Sequence, residues 1–284
     1  MRTGKTAYAA YATVLLFIMA VTGCSSPFKD ADAAFRRGDY RKAVELYGKV
    51  VQSKKLDAKD MARAHYNMGR SLDRLGRTAD AIEEYKRSID LEPDRQEVYM
   101  DMAIALDKIG LLEQEVDALN NSLILKPHDL RTESMLGECY AKLGQFVNAK
   151  NMFDRVVRQS PRDPKNYVNL GLADDKLGDA QGAISCWETA VKLKPDDEDA
   201  LQYLGFVYNR IGRNQDAIRI YRKLLEMKPN ELKYHNNLGV AYYNSGQYKL
   251  AMKEFAKVLT IDKHYPGADM AEKLSKKFAA RGHG

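Results

Sequence analysis

The sequence contains few of the residues from which catalytic and metal sites are built. Its 284 residues include 3 cysteines, 5 histidines and 1 tryptophan. It has no HExxH motif, no paired histidines and no cysteine–histidine cluster, which are the patterns of zinc sites and of nucleophilic thiols. The glycines are single rather than clustered, so the sequence has no phosphate-binding loop. We therefore expect no enzymatic activity, no metal site, no cofactor and no small-molecule substrate.

A large excess of charge of one sign is also missing. The net charge is +6, and removal of Arg2 and Lys5 with an export signal leaves +4. This mild bias does not indicate a nucleic-acid partner. Charged residues make up 30% of the chain and apolar residues 45%, which is ordinary for a folded soluble protein.

What the chain does contain is a repeat of 34 residues. The interval is kept by the glycines Gly76, Gly110, Gly144, Gly178, Gly212 and Gly246. It is also kept, 17 positions later, by the prolines Pro93, Pro127, Pro161, Pro195 and Pro229. Such a period indicates one helical hairpin repeated along the chain, because a single hairpin cannot bury its own apolar face. The glycine suits the end of the first helix, and the proline ends the second.

Two further places in each repeat carry side chains of a fixed size. The eighth place is small, with Gly69, Ala103, Gly137, Gly171, Gly205 and Gly239. The twenty-fourth place is bulky, with Tyr85, Leu119, Phe153, Trp187, Tyr221 and Phe255. A small residue lets two helix backbones approach closely, and a bulky one fills the wedge between hairpins.

This pattern resembles the tetratricopeptide repeat (TPR) family, and the resemblance extends from about Ala31 to Pro266. It implies an all-α, right-handed superhelical solenoid whose first helices line a concave face that holds extended peptides or helices. We divide the chain into a signal peptide at residues 1–23, a degenerate first repeat at 24–61, six repeats over 62–265, and a capping helix with a tail at 266–284. The repeat at 96–129 departs most from the pattern.

The N-terminal segment has the features of an export signal. Basic Arg2 and Lys5 precede an apolar run at Thr13–Val21, and a Gly-Cys pair ends the segment at Cys24. This ending resembles the lipobox of bacterial lipoproteins, which implies cleavage before Cys24 and attachment of a lipid to its sulfur. The alternative is an uncleaved anchor helix, although the apolar run is shorter than the ~20 residues that cross a bilayer. Because no aspartate follows the cysteine, the resemblance implies the periplasmic face of the outer membrane.

A partner-binding groove is predicted over residues 164–265. Along this part of the chain the ninth place becomes apolar, and family members often use asparagine at the sixth place to bond a peptide backbone. We predict a groove with an apolar floor and asparagine amides beside it, against the alternative that these side chains only continue the packing between helices. The predicted set is Val168, Asn169, Leu172, Phe206, Asn237, Val240 and Tyr243.

Asp174 is an unusual residue for its position. It stands at the eleventh place, where the other full repeats have leucine or tyrosine. A carboxylate in an apolar seam is costly unless it is hydrogen-bonded. We favour a partly exposed residue on a loosened helix. The alternatives are a hydrogen bond from a neighbouring tyrosine and a place at the rim of a ligand site.

Basic residues also recur, at the thirteenth place. Because a cation is favourable at the C-terminal end of a helix, we interpret them as local stabilisation rather than as a strip for acidic ligands. The lysine–asparagine clamp of chaperone-binding family members is not matched around Asn67, so an acidic C-terminal tail is not an expected ligand. The basic series is Arg74, Lys108, Lys142, Lys176 and Arg210.

The function expected from these features is protein binding beside a membrane. The chain resembles the TPR lipoproteins that help to assemble pili and secretion channels, so we expect a lipid-anchored adaptor with protein or peptide partners. One alternative is an adaptor that tethers a cell-wall hydrolase. A cytosolic co-chaperone and an enzyme are weaker alternatives, because the first requires residues 1–24 not to be a signal and the second lacks a catalytic motif.

Overall fold

The computed structural model describes residues 27–53, 56–262 and 264–265. These residues form fourteen α-helices and contain no strand. The helices are α1 Pro27–Arg36, α2 Tyr40–Gln52, α3 Ala58–Arg74, α4 Thr78–Leu91, α5 Gln96–Lys108, α6 Leu112–Leu125, α7 Leu130–Lys142, α8 Phe146–Gln159, α9 Pro164–Lys176, α10 Ala180–Leu193, α11 Glu198–Arg210, α12 Asn214–Met227, α13 Leu232–Asn244 and α14 Tyr248–Ile261.

Helix boundaries follow from local chemistry. Aspartates begin several helices: the Asp179 carboxylate accepts a hydrogen bond from the Gly182 amide at 2.8 Å, and the Asp197 carboxylate accepts one from the Ala200 amide at 3.1 Å. These bonds satisfy amides that the first turn of a helix leaves unpaired. After the first helix of each hairpin the periodic glycine takes a left-handed conformation, as at Gly178 with φ +85°, so the chain can reverse direction there.

Five hairpins among the described residues are held together by the predicted small and bulky pair. A side chain added at Gly171 would place its Cβ 2.5 Å from Nε1 of Trp187, so only glycine allows the helices to pack this closely around the indole. The repeat at 96–129 has a compensating pair, because Ala103 and Leu119 are both fully buried. There alanine replaces the glycine, and leucine replaces the aromatic residue. The two side chains by which this repeat departs from the pattern therefore compensate each other in size.

The chain forms two compact units, divided between Thr132 and Glu133. In unit 1 the core includes Tyr47, Tyr85, Leu106 and Leu119, each at most 2% exposed. In unit 2 one large cluster contains Trp187, Tyr208, Tyr221, Tyr234 and Phe255 together with smaller side chains. Both cores lie between hairpins, because each hairpin covers the apolar side of its neighbour.

The predicted fold class is confirmed: the described residues are all-α hairpin repeats. They contain seven hairpins, the first of which is α1 with α2. The signal peptide with the start of the first repeat (residues 1–26), and the capping helix with the tail (residues 266–284), lie outside the described residues. The proposed boundaries at residues 23, 61 and 265 stay predictions.

Candidate partner-binding surface

The predicted groove residues lie on the first helices of three hairpins in unit 2, α9, α11 and α13. Val168 is buried at 7% exposure and packs with Ala190 and Ala200. Its carbonyl accepts a hydrogen bond from the Trp187 indole at 3.2 Å. Val168 therefore contributes to the packing between hairpins and offers little surface to a partner.

Phe206 is the most exposed of the predicted residues. The residue is 54% exposed, and the guanidinium of Arg210 lies 5.8 Å from the centre of its ring. Arg210 is itself bonded to Asp175, which holds the cation beside the aromatic face. An aromatic residue that is exposed to this degree, on a helix with an otherwise well-buried side, is typical of a contact surface.

Four partly exposed apolar side chains on the same three helices pack against the large core cluster of unit 2. They are Leu172, Tyr203, Val240 and Tyr243. Tyr203 stacks on Trp187 with ring centres 5.3 Å apart and planes inclined by 23°, and it lies three residues before Phe206, on the same face of α11. We call Leu172, Tyr203, Phe206, Val240 and Tyr243 the aromatic surface.

Tyr203 is the member of this surface that the sequence prediction missed. It occupies the sixth place of its repeat, where Asn169 and Asn237 stand in the flanking repeats. The asparagines at this place directed the prediction to amide groups rather than to the aromatic residue between them. Burial raises the pKa of the Tyr203 hydroxyl above its ordinary value, so the hydroxyl remains a neutral hydrogen-bonding group.

The predicted asparagines have partners within unit 2. The Asn169 amide donates to the Glu138 carboxylate at 3.4 Å. The backbone carbonyl of Asn237 accepts a hydrogen bond from the Asn209 side chain at 3.1 Å. Burial raises the pKa of the Tyr221 hydroxyl, and the neighbouring Asn237 side chain opposes this shift. A partner that bonds to the Asn169 amide would therefore have to compete with an existing contact.

Asp174 is not a partly exposed residue, and that expectation was wrong. It is 2% exposed, and its carboxylate is bonded to the Lys150 ammonium. The Cys186 thiol also donates to it at 3.7 Å. Lysine from the preceding hairpin makes the buried charge tolerable. Burial, followed by the nearby Asp174 charge, raises the pKa of Cys186 to about 12, so this thiol stays protonated and unreactive at neutral pH.

Two histidines, His65 and His235, stand at the fourth place of their repeats, and each contacts a glutamate. His65 Nδ1 lies 2.6 Å from Glu84, and His235 Nδ1 lies 2.6 Å from Glu254. Each glutamate comes from the second helix of the same hairpin. These pairs join the two helices of a hairpin, so we assign them to the scaffold.

Acidic residues of the preceding repeat neutralise part of the basic series. Lys108 contacts Asp73 at 2.6 Å, and Arg210 contacts Asp175. In each pair the acid lies 35 positions before the base. The basic residues therefore stabilise the fold not only at the end of their own helix but also through ion pairs between neighbouring repeats.

Within the described residues, no group of three or more histidine, cysteine or acidic side chains is arranged to hold a metal ion. No helix among them combines the length and apolar character that a bilayer span requires.

The fold and surface define a class: a scaffold of helical hairpin repeats with an exposed aromatic face. Family sequence models described as "Tetratricopeptide repeat" match residues 28–97, 66–129 and 134–163. A family model described as "Psidin, N-terminal TPR repeats region" matches residues 152–266. The chain belongs to the tetratricopeptide repeat family, whose members serve in general as protein-interaction scaffolds.

Solved structures agree with this assignment. The MamA protein is 27% identical with a TM-score of 0.56, over 59% of this chain and 92% of that chain. YrrB, described as a TPR protein with an unusual peptide-binding site, is 21% identical with a TM-score of 0.59, over 68% and 99%. The C-terminal part of a TPR protein from Cytophaga hutchinsonii is 19% identical with a TM-score of 0.70, over 86% and 98%. At their identities the last two show the fold alone. No curated protein matches the sequence.

Proposed function

We propose that this protein is a lipid-anchored scaffold of the cell envelope that binds protein partners through the aromatic surface of unit 2. The observation that carries the binding role is Phe206, which is 54% exposed on the helix that also contributes the partly exposed Tyr203. An interface needs a central anchor of this kind, because a few aromatic and arginine side chains supply most of the binding free energy. Arg210 beside the Phe206 ring adds such a residue.

The likeness to YrrB supports a polypeptide as the partner, since that protein is described as having a peptide-binding site. The envelope role rests on the sequence of the N-terminal segment and on its resemblance to lipoproteins. Assembly of a pilus or a secretion channel is the specific role that we propose, with tethering of a cell-wall hydrolase as the alternative.

Replacement of both Phe206 and Val240 by aspartate is expected to weaken capture of the partner by roughly thirtyfold or more, because loss of an anchor costs about 2 kcal/mol or more. The measurement is affinity capture of the membrane-bound protein after cross-linking, with quantification of each captured protein. Val147→Asp is the matched control, because Val147 is 61% exposed in unit 2 but lies on the second helix of its hairpin. Equal capture by all three proteins would contradict the proposal. The identity of the captured protein separates a pilus or secretion component from a hydrolase.

The lipid anchor has its own test. Cys24→Ser is expected to prevent cleavage and to abolish incorporation of labelled palmitate, since only the thiol accepts the lipid, and two or three acyl chains anchor a protein where one does not. Palmitate labelling and membrane fractionation of the two proteins measure this. Labelling of the serine variant, or a wild-type protein without label, would refute the anchor and would leave the binding role of unit 2 intact.

A further inference from the structure

Unit 1 contains a polar cavity that the predicted groove does not include. Its volume is about 430 Å³, and it lies along the first helices α3 and α5 with the start of α7. Four basic and two acidic side chains line it: Arg70, Arg74, Lys108, Arg131, Asp73 and Asp101. On these six side chains the formal charge is +2. A cavity of this size holds a few side chains of a ligand.

The two acidic side chains are already bound to two of the basic ones. Lys108 Nζ lies 2.6 Å from Asp73, and Arg70 Nε lies 3.6 Å from Asp101, which also accepts a hydrogen bond from the Tyr66 hydroxyl at 2.8 Å. The guanidinium of Arg70 is further held against the ring of Phe35, 4.9 Å from its centre. These contacts fix the inner wall of the cavity.

Arg74 and Arg131 are exposed, and neither makes an ion pair with any residue that the structure describes. For Arg74 the sequence gives the reason. In the later pairs an aspartate at the twelfth place of the preceding repeat neutralises the base, as Asp73 does for Lys108. Counted back from Gly38, the twelfth place of the first repeat is occupied by Phe35. Arg74 is therefore the first member of the basic series and has no acid before it.

The excess positive charge favours an anionic ligand, and the two exposed guanidinium groups favour a carboxylate. Guanidinium groups bind carboxylates through two parallel hydrogen bonds. The acids Asp73 and Asp101 oppose a compact dianion such as phosphate, whereas their oxygens can accept hydrogen bonds from the amides of a peptide. A concave site with a net positive charge also strengthens the attraction relative to a flat surface.

We propose that this cavity binds a polypeptide segment through an internal aspartate or glutamate side chain, with Arg74 and Arg131 contacting its carboxylate. The site uses none of the residues of the aromatic surface. It also differs from a clamp for a C-terminal carboxylate, because the ligand carboxylate belongs to a side chain.

The test measures the affinity of the full chain, in mild detergent and at low salt, for a fluorescent C-amidated peptide with two adjacent glutamates. A twin peptide has glutamine at both positions. We expect the glutamate peptide to bind at least tenfold more tightly than its twin, and Arg74→Gln and Arg131→Gln each to weaken its binding on the order of tenfold. Arg74→Lys, which keeps the charge but loses the planar fork, should retain part of the affinity.

Arg41→Gln is the matched control, because Arg41 is an exposed arginine of unit 1 outside the cavity. Circular dichroism confirms that each variant is folded. Equal affinity for the two peptides, or equal losses in the Arg41 and Arg74 variants, would overturn the proposal. Displacement of the peptide by inorganic phosphate at equal concentration would also overturn it, because the cavity would then be a simple anion site. Phe206→Asp should leave the affinity unchanged, so this proposal and the role of the aromatic surface fail separately.

Discussion

Replacement of Trp187 by alanine is expected to lower the free energy of unfolding by about 3–5 kcal/mol, the usual cost of removing a large buried aromatic side chain. Trp187 is 2% exposed, stacks on Tyr203, and donates its indole N–H to the Val168 carbonyl. Its removal would leave a cavity against Gly171, whose backbone is in close contact with the indole. Urea unfolding followed by circular dichroism measures the change. Fluorescence is unsuitable because the substitution removes the 1 tryptophan of the chain.

Further variants separate this packing role from a general sensitivity of unit 2. Trp187→Phe should cost less, because the preceding repeat has Phe153 at the same place opposite Gly137. Gly171→Ala should destabilise the protein by about 1–3 kcal/mol through overpacking, and this cost should shrink in a Trp187→Leu background that copies the Ala103 and Leu119 pair. A loss below about 1 kcal/mol for Trp187→Ala would contradict the role of the indole as the main wedge of its hairpin.

Replacement of Lys150 by methionine is expected to cost about 3 kcal/mol, because it leaves the buried carboxylate of Asp174 without its cation. The Asp174 side chain is 3% exposed, whereas that of Lys150 is 35% exposed, so the cost comes from the acid rather than from lost packing of the lysine. The same urea titration measures it.

The double variant Lys150→Met with Asp174→Leu provides the decisive comparison. Leucine occupies the eleventh place at Leu72 and Leu106, and removal of both charges of a buried pair is often neutral or stabilising. We therefore expect the double variant to regain the stability of the original chain. If it were as unstable as the single variant, the ion pair would not be the reason for the loss.

The architecture could be predicted from the sequence because it depends on residues at fixed intervals. Gly178 ends a helix through its own conformation, and Gly171 faces Trp187 within one hairpin. Both relations are local to a repeat, so aligning the repeats reveals them. The His65–Glu84 and His235–Glu254 pairs also keep one spacing, 19 residues. Their recurrence was visible in the sequence, and we missed it.

Contacts between different repeats were harder to predict. The alignment showed that Asp174 was unusual, but its partner Lys150 lies 24 residues earlier, on the second helix of another hairpin. Nothing in the sequence selects this lysine over others at similar distances. Val168 was assigned to the groove from its place alone, whereas its burial depends on packing against Ala190 and Ala200. The exposure of Phe206 likewise depends on what the neighbouring helices leave uncovered.

The central claim is that the aromatic surface of unit 2 binds a protein partner. The most direct measurement is photo-cross-linking in living cells, with a photoreactive phenylalanine analogue at position 206 and, as the comparison, at position 147. We predict a cross-linked partner from position 206 and none from position 147, which is also exposed but lies on α8. Cross-linking from position 147 alone, or from neither position, would contradict the claim.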